Sequence, residues 1–166
     1  MAEMASSGTT VEALESLYRA GLPAFVRTAA AIVGDEGAGS DAVQEAFAQA
    51  VRKRASFKGD APLEAWVWRI VINEANALRR RRVRELRSAA ELAAEPSANG
   101  HERDAAVRVW VAALPERQRF AIFLRYFADL DYRSIAAALD IEVGTVSATL
   151  ANAHAALRRS YEEAMR

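Results

Sequence analysis

Cysteine is absent from the 166 residues, which excludes disulfides and thiolate metal sites. The two histidines, His101 and His154, lie far apart and lack a neighbouring ligand pattern. No metal and no cofactor are therefore expected. No run of about 18 apolar residues offers a membrane span, and no positively charged leader precedes an apolar block. The chain is expected in the cytoplasm, without membrane insertion. There is no glycine-rich phosphate loop, histidine pair, nucleophile elbow or carboxylate cluster in a pocket context, so neither an enzyme nor a small-molecule substrate is expected. Long β-branched runs and alternating strand patterns are also missing. Net charge is lacking too, with 22 basic and 22 acidic side chains.

What is present is alanine and apolar residues at helical spacing. Hydrophobic residues make up 52% of the chain, enough for ordinary cores, and the expected fold is all-α. The neutral total conceals a division along the chain. Residues 1–51 hold two arginines against seven acids, residues 52–87 eleven bases against four acids, and the remainder nine bases against eleven acids. A basic centre between acidic flanks implies local contact with a polyanion, with another partner engaging the acidic surface.

The basic centre peaks in one stretch, APLEAWVWRIVINEANALRRRRVRELR, residues 61–87. Pro62 suits a first helical turn and Asp60 is placed to cap it. Leu63, Trp66, Val67, Ile70, Val71 and Leu78 recur at three- and four-residue spacing, an apolar stripe that docks on a core. Trp66 on that stripe is expected inside, while Trp68 points elsewhere and packs against a neighbouring helix. Arg79, Arg80, Arg81, Arg82, Arg84 and Arg87 then face all ways around the helix against the single acid Glu85. Mutually repelling guanidiniums suit phosphate, and a solvated helix end whose cations complement the dipole is the competing reading.

Before this helix, residues 1–8 are small and polar and are expected to be disordered. Thr9 and Glu12 resemble a capping box for a first helix running to Gly34, bent near Gly21 and Pro23. GDEGAGS is expected to be a turn, with Ser40 or Asp41 capping a second helix to about Ala55. Val43, Phe47, Ala50 and Val51 are its buried positions, and Asp41, Gln44, Glu45 and Gln49 lie on its outer face, as on any solvated helix. Phe57, Lys58, Gly59 and Asp60 form a loop in which the aromatic can hold an unstacked base or plug the core.

After Arg87, SAAELAAEPSANGHERD has almost no large apolar residue and reads as a flexible linker, giving domains at 1–87 and 104–166 joined by residues 88–103. In the second domain a short helix spans about Asp104 to Ala113, and Pro115 opens another that supplies Phe120, Ile122, Phe123 and Leu124 to the core. Asp131 caps Tyr132 to Leu139, and after the turn DIEVG a last helix runs to about Met165. Short helix, tight turn and longer helix make a helix-turn-helix, a spacing also common in helical proteins that never meet DNA.

Three blocks then match one family in order: DAVQEAFAQAV, PLEAWVWRIVINEANALRRRR, and LPERQRFAIFLRYFADLDYRSIAAALDIEVGTVSATL followed by HAALRR. Together they resemble bacterial RNA polymerase sigma factors of the extracytoplasmic-function (ECF) type. The resemblance implies two helical domains, a sigma region 2 bundle and a sigma region 4 helix-turn-helix, which bind core polymerase at its clamp and flap and the promoter −10 and −35 elements. It places Asp41, Gln44, Glu45 and Phe47 in the clamp-facing motif. It places Phe57, Lys58, Gly59 and Asp60 in the loop that captures a −10 base, with Asn73, Arg79, Arg80 and Arg82 along the adjoining helix. Arg133, Thr145, Ser147, Thr149, Asn152 and His154 fall where the −35 element is read. An anti-sigma factor is the further partner that the resemblance implies.

The chain departs from its relatives at several points. Ala77 stands where Asp is frequent and Val51 where Trp is common. Ser147, Thr149, Asn152 and His154 replace the usual Lys and Arg of the recognition helix, and Asp140 and Glu142 replace the turn Gly and the following Ser. Carboxylates beside a DNA-facing helix repel phosphate, so a weak or unusual −35 contact is expected. Two other readings suit the same residues: a stand-alone helix-turn-helix transcription regulator, and a sigma-like regulator whose C-terminal domain binds protein.

Overall fold

A computed structural model describes residues 8–90 and 102–166, and side chains for 8–88 and 106–166. Most of the expected linker and the N-terminal tail lie outside the described residues. Within them the chain is helical, with no strand. Three helices, α1 (Val11–Val33), α2 (Glu36–Lys53) and α3 (Leu63–Ala90), pack on one another as a first domain. Four more, α4 (Glu102–Ala113), α5 (Glu116–Tyr126), α6 (Tyr132–Leu139) and α7 (Val143–Ala164), build the second. No single described helix is long and apolar enough to cross a membrane.

Local chemistry sets the ends of these helices. The Thr10 hydroxyl, not that of Thr9, accepts the Ala13 N–H at 3.1 Å and starts α1, one residue from the expected cap. The helix closes at Gly34, whose N–H returns to the Ala30 carbonyl at 2.7 Å. The start of α2 corrects the expectation of a glycine-rich turn. Asp35 accepts the Ala38 N–H at 2.7 Å, and GDEGAGS is helical from Glu36 onward. Its glycine at 39 serves close packing, because a Cβ there would stand 2.5 Å from the backbone nitrogen of Ala30 on α1.

The first core is aromatic at its centre. Trp68 is 1% exposed, its ring 4.3 Å from that of Phe25, which meets Phe47 edge-on at 5.2 Å; Phe47 in turn meets Tyr18 at 4.9 Å. Such pairs add about 0.5–1.5 kcal/mol each beyond their buried area. Trp68 packs against the neighbouring α1, as expected, and does so at the centre of the core, while Trp66, expected inside, is half-buried beside Phe57, with ring centroids 5.5 Å apart. Ala65 and Ala75 are both fully buried and carry the stripe toward Trp68 and Ile72, so that Trp66 falls on its flank.

In the second domain Asp131 accepts the Ser134 N–H at 2.7 Å and caps α6. That bond with the Ser134 backbone holds its carboxyl below the ordinary carboxylate range. Asp140 ends α6 in the left-handed conformation, and the axes of α6 and α7 meet at 93°, the angle of a helix-turn-helix. Ile135, Val146, Leu150 and Leu124 fill the space between the helices. Arg119 is buried under the turn from α4 to α5, donating to the carbonyls of Ala112 (3.0 Å) and Leu114 (3.3 Å). Its pKa is lowered first by burial and then by the nearby Arg79 charge, while Glu116 opposes the shift.

Candidate nucleic-acid interface

The loop ahead of α3 is held from two sides. Gly8 and Thr9 donate backbone hydrogen bonds to the carbonyls of Phe57 (2.7 Å) and Arg54 (2.9 Å), and the Phe57 ring leans on Trp66. Gly59 has φ 73, a left-handed turn for which glycine is the favoured residue. Lys58, Gly59 and Asp60 are exposed at its tip. Phe57 is half-buried, so one edge remains open beside a fixed aromatic wall. Such a surface can stack an unpaired base.

The arginines continue from this loop along α3. Arg80 and Arg81 are exposed, Arg79 and Arg82 half-buried. Glu116 lies 3.8 Å from Arg80 and Asp35 lies 3.7 Å from Arg82, too far for hydrogen bonds. The Arg82 Nη1 is enclosed beside Asp35 and has no hydrogen-bond partner. Arg79, Arg81, Arg84 and Arg87 form no ion pair with any described carboxylate. Arg81, Arg84 and Arg87 are directed outward, while Arg80 and Arg82 face the carboxylates of Glu116 and Asp35. Asn73 is exposed two turns earlier, in a cleft shared with Arg69, Phe120 and Leu139.

On α2 the side chains of Asp41, Gln44 and Glu45 are exposed, with Glu45 bound to Arg52 at 2.7 Å. Phe47 is 8% exposed, as expected of a buried position of this helix, and its ring belongs to the aromatic core. It also floors an apolar groove of about 320 Å³ whose walls include Leu14, Tyr18, Gln44 and Val51.

On α7 and its surroundings Arg133, Thr145, Ser147, Asn152 and His154 are exposed. His154 shares a 2.8 Å hydrogen bond with the Tyr126 hydroxyl, which fixes the position of its ring. Thr149 departs from expectation. It is 8% exposed and its hydroxyl donates to the Thr145 carbonyl at 2.7 Å, because helical spacing from Val146 and Ala153 turns it toward the core. Its hydroxyl proton is engaged within the helix.

Sequence reasoning passed over Arg27 and Arg69, which donate to the carbonyls of Phe127 and Ala137 in the second domain. Their partners are main-chain atoms, which leave no mark in a sequence pattern.

A three-helix bundle with a basic, loop-headed third helix, joined to a helix-turn-helix, is the architecture of a two-domain transcription factor. Residues 17–85 match the Sigma-70 region 2 family and residues 105–157 the Sigma-70, region 4 family. The chain belongs to the sigma-70 family, among its extracytoplasmic-function members, and is an RNA polymerase sigma factor of transcription initiation. It is 31% identical over 151 residues to the RNA polymerase sigma-H factor of Pseudomonas aeruginosa, covering 81% of this chain and 78% of that one. It is 33% identical over 143 residues to the ECF RNA polymerase sigma-E factor of Escherichia coli, covering 76% and 75%. Among solved structures, CnrH in complex with the cytosolic domain of CnrY matches with a TM-score of 0.69 at 25% identity over 93% of this chain and 90% of that one. The sigma factor RpoE of Bartonella quintana, in complex with the anti-sigma factor NepR, shares the fold, with a TM-score of 0.66 at 24% identity over 92% and 98%.

Proposed function

We propose a division of labour along the chain, with residues 1–87 as the polymerase and −10 domain, 88–103 as linker and 104–166 as the −35 domain. Asp41, Gln44 and Glu45 meet the polymerase clamp, with the groove floored by Phe47 receiving an apolar side chain. Phe57, Lys58, Gly59 and Asp60 hold an unstacked −10 base, Asn73 reads a base edge, and Arg79, Arg80 and Arg82 hold the phosphates. Binding energy released on the opened strand holds it apart, and no catalytic group of this chain takes part.

Arg133, Thr145, Ser147, Asn152 and His154 contact the −35 element, with few charges and hence a shallow salt dependence. The second domain also meets the polymerase flap. The assemblies named for Bartonella RpoE and for CnrH support an inhibitory protein partner here as well, in the cytoplasm.

The observation that carries this reading is that the loop leads into a helix bearing exposed Asn73 and then the run of arginines, backed by an acid-faced helix in the same bundle. Co-elution with purified core polymerase tests it. The parent chain should co-elute, and Asp41→Ala with Gln44→Ala and Glu45→Ala should abolish the complex without lowering Tm. Unimpaired co-elution of that variant would move the polymerase contact elsewhere. A stand-alone regulator would instead shift duplex DNA unaided.

A further inference from the structure

One exposed side chain of the last helix changes charge in the physiological pH range. His154 on α7 presents its Nε2 at 2.8 Å from the hydroxyl of Tyr126, the last residue of α5. The two ring centroids lie 5.7 Å apart, and Tyr126 is itself 59% exposed. Steps of four, three and four residues bring Ser147, Ala151, His154 and Arg158 onto one stripe of α7. Arg158 is the permanent cation of that stripe, and His154 is a conditional one.

A neutral imidazole carries one N–H and a phenol one O–H, and the bond between them uses one of these two protons. A single donor is left for any other partner. An imidazolium carries two N–H groups: Nε2–H donates to the Tyr126 oxygen, and both Nδ1–H and the Tyr126 O–H are then free to donate. Protonation therefore doubles the outward donors of the pair and adds a positive charge. Phosphate oxygens accept from such groups.

The surroundings leave that charge unpaired. No described carboxylate forms an ion pair with His154. α7 packs on α5, α6 and α4. Along α7, Arg158 follows one turn later. On α5, Arg125 precedes Tyr126 and lies 3.4 Å from Asp129, while Glu116, Arg117 and Arg119 stand two or more turns earlier. α6 brings Arg133 and its cap Asp131, which is engaged by the Ser134 N–H, and α4 brings Arg108 among its described side chains. A DNA phosphate at this face would be the counter-charge of the imidazolium.

The geometry points to a proton-dependent −35 contact: His154, oriented by Tyr126, grips the DNA backbone as the imidazolium, so that promoter affinity rises as pH falls. Tyr126 positions the ring and, once its own proton is released from the bond, adds a second donor. This deepens the assignment of His154 to the −35 element and rests on it.

The test uses the full chain reconstituted with core polymerase. Anisotropy follows its binding to a fluorescein-labelled duplex of a promoter whose start site this holoenzyme defines, at about pH 7.5 and about pH 6, where histidine changes charge. The parent should bind about two- to fivefold tighter at the lower pH, the range of one exposed ion pair. Its salt dependence should steepen there by about one counterion. His154→Gln should stay weak and unresponsive, His154→Arg tight and unresponsive, and Tyr126→Phe should respond less than the parent. Circular dichroism at both pH values checks that each variant is folded. On a probe cut short of the −35 segment, all four proteins should share one pH profile.

An equal pH response in the parent and His154→Gln overturns the proton dependence, as does a response that survives loss of the −35 segment. A full response in Tyr126→Phe overturns the part given to Tyr126. Affinities unchanged by both His154→Gln and His154→Arg at either pH show that His154 does not touch the DNA. That result overturns the underlying −35 assignment, which is a different failure.

Discussion

Gly39 lies against Ala30 so closely that a Cβ built on it would stand 2.5 Å from the Ala30 nitrogen and 2.6 Å from its Cα. Because the obstruction is backbone, neither helix can yield by a rotamer change. Gly39→Ala should therefore cost about 1–3 kcal/mol, the range for overpacking, despite alanine's better helix propensity. Gly37→Ala, whose Cβ would meet only Asp35 Oδ1 at 3.5 Å, should be neutral or stabilising. Urea denaturation of both variants checks the contrast.

The two neighbouring tryptophans should separate sharply. Trp68→Ala empties the centre of the aromatic core and should cost about 3–5 kcal/mol. Trp66→Ala removes only a half-buried wall of the loop, with a much smaller loss of stability and weaker single-strand binding. Denaturation midpoints and anisotropy read the two effects independently.

Much of this was legible beforehand, and what was not has physical causes. The Asp131 cap and the helix-turn-helix follow from local chemistry written in adjacent residues. The start of α2 was not, because glycines that signal a turn also permit helices to touch, and only Ala30 on the facing helix distinguishes the two. Trp66 was placed inside because alanine carries the stripe as well as leucine does when space is tight, and Ala65 and Ala75 take the positions that a large residue was expected to fill. Thr149 was read as exposed by its polarity, although its hydroxyl is satisfied by the Thr145 carbonyl. Contacts to the Ala137 and Phe127 carbonyls depend on chain topology alone.

On the recognition helix, Ser147→Lys should tighten binding to a cognate −35 duplex and steepen its salt dependence by about one counterion. Thr149→Lys would bury a cation against Val146 and Ala153, so it should destabilise the second domain and leave affinity unimproved. Salt titrations of the two variants test the exposure pattern; unchanged binding with Ser147→Lys would count against docking of this face in the groove.

Asp131 has a depressed carboxyl pKa, caused first by the Ser134 backbone hydrogen bond. A group whose folded pKa is lowered stabilises above its unfolded value, and that contribution is lost as pH falls through the folded value. Asp131→Ala should therefore lower Tm at pH 7, and the difference from the parent should shrink as pH falls below the ordinary carboxylate range. A pH series of thermal melts reads this directly.

The central claim is tested most directly by mapping the 5′ ends of transcripts made from fragmented genomic DNA by purified core polymerase with this chain. A discrete set of start sites sharing an upstream −10 sequence, lost in the Arg80→Ala, Arg82→Ala variant, is the predicted result. Initiation no different from that of core enzyme alone, under conditions where the two proteins co-elute, would contradict it.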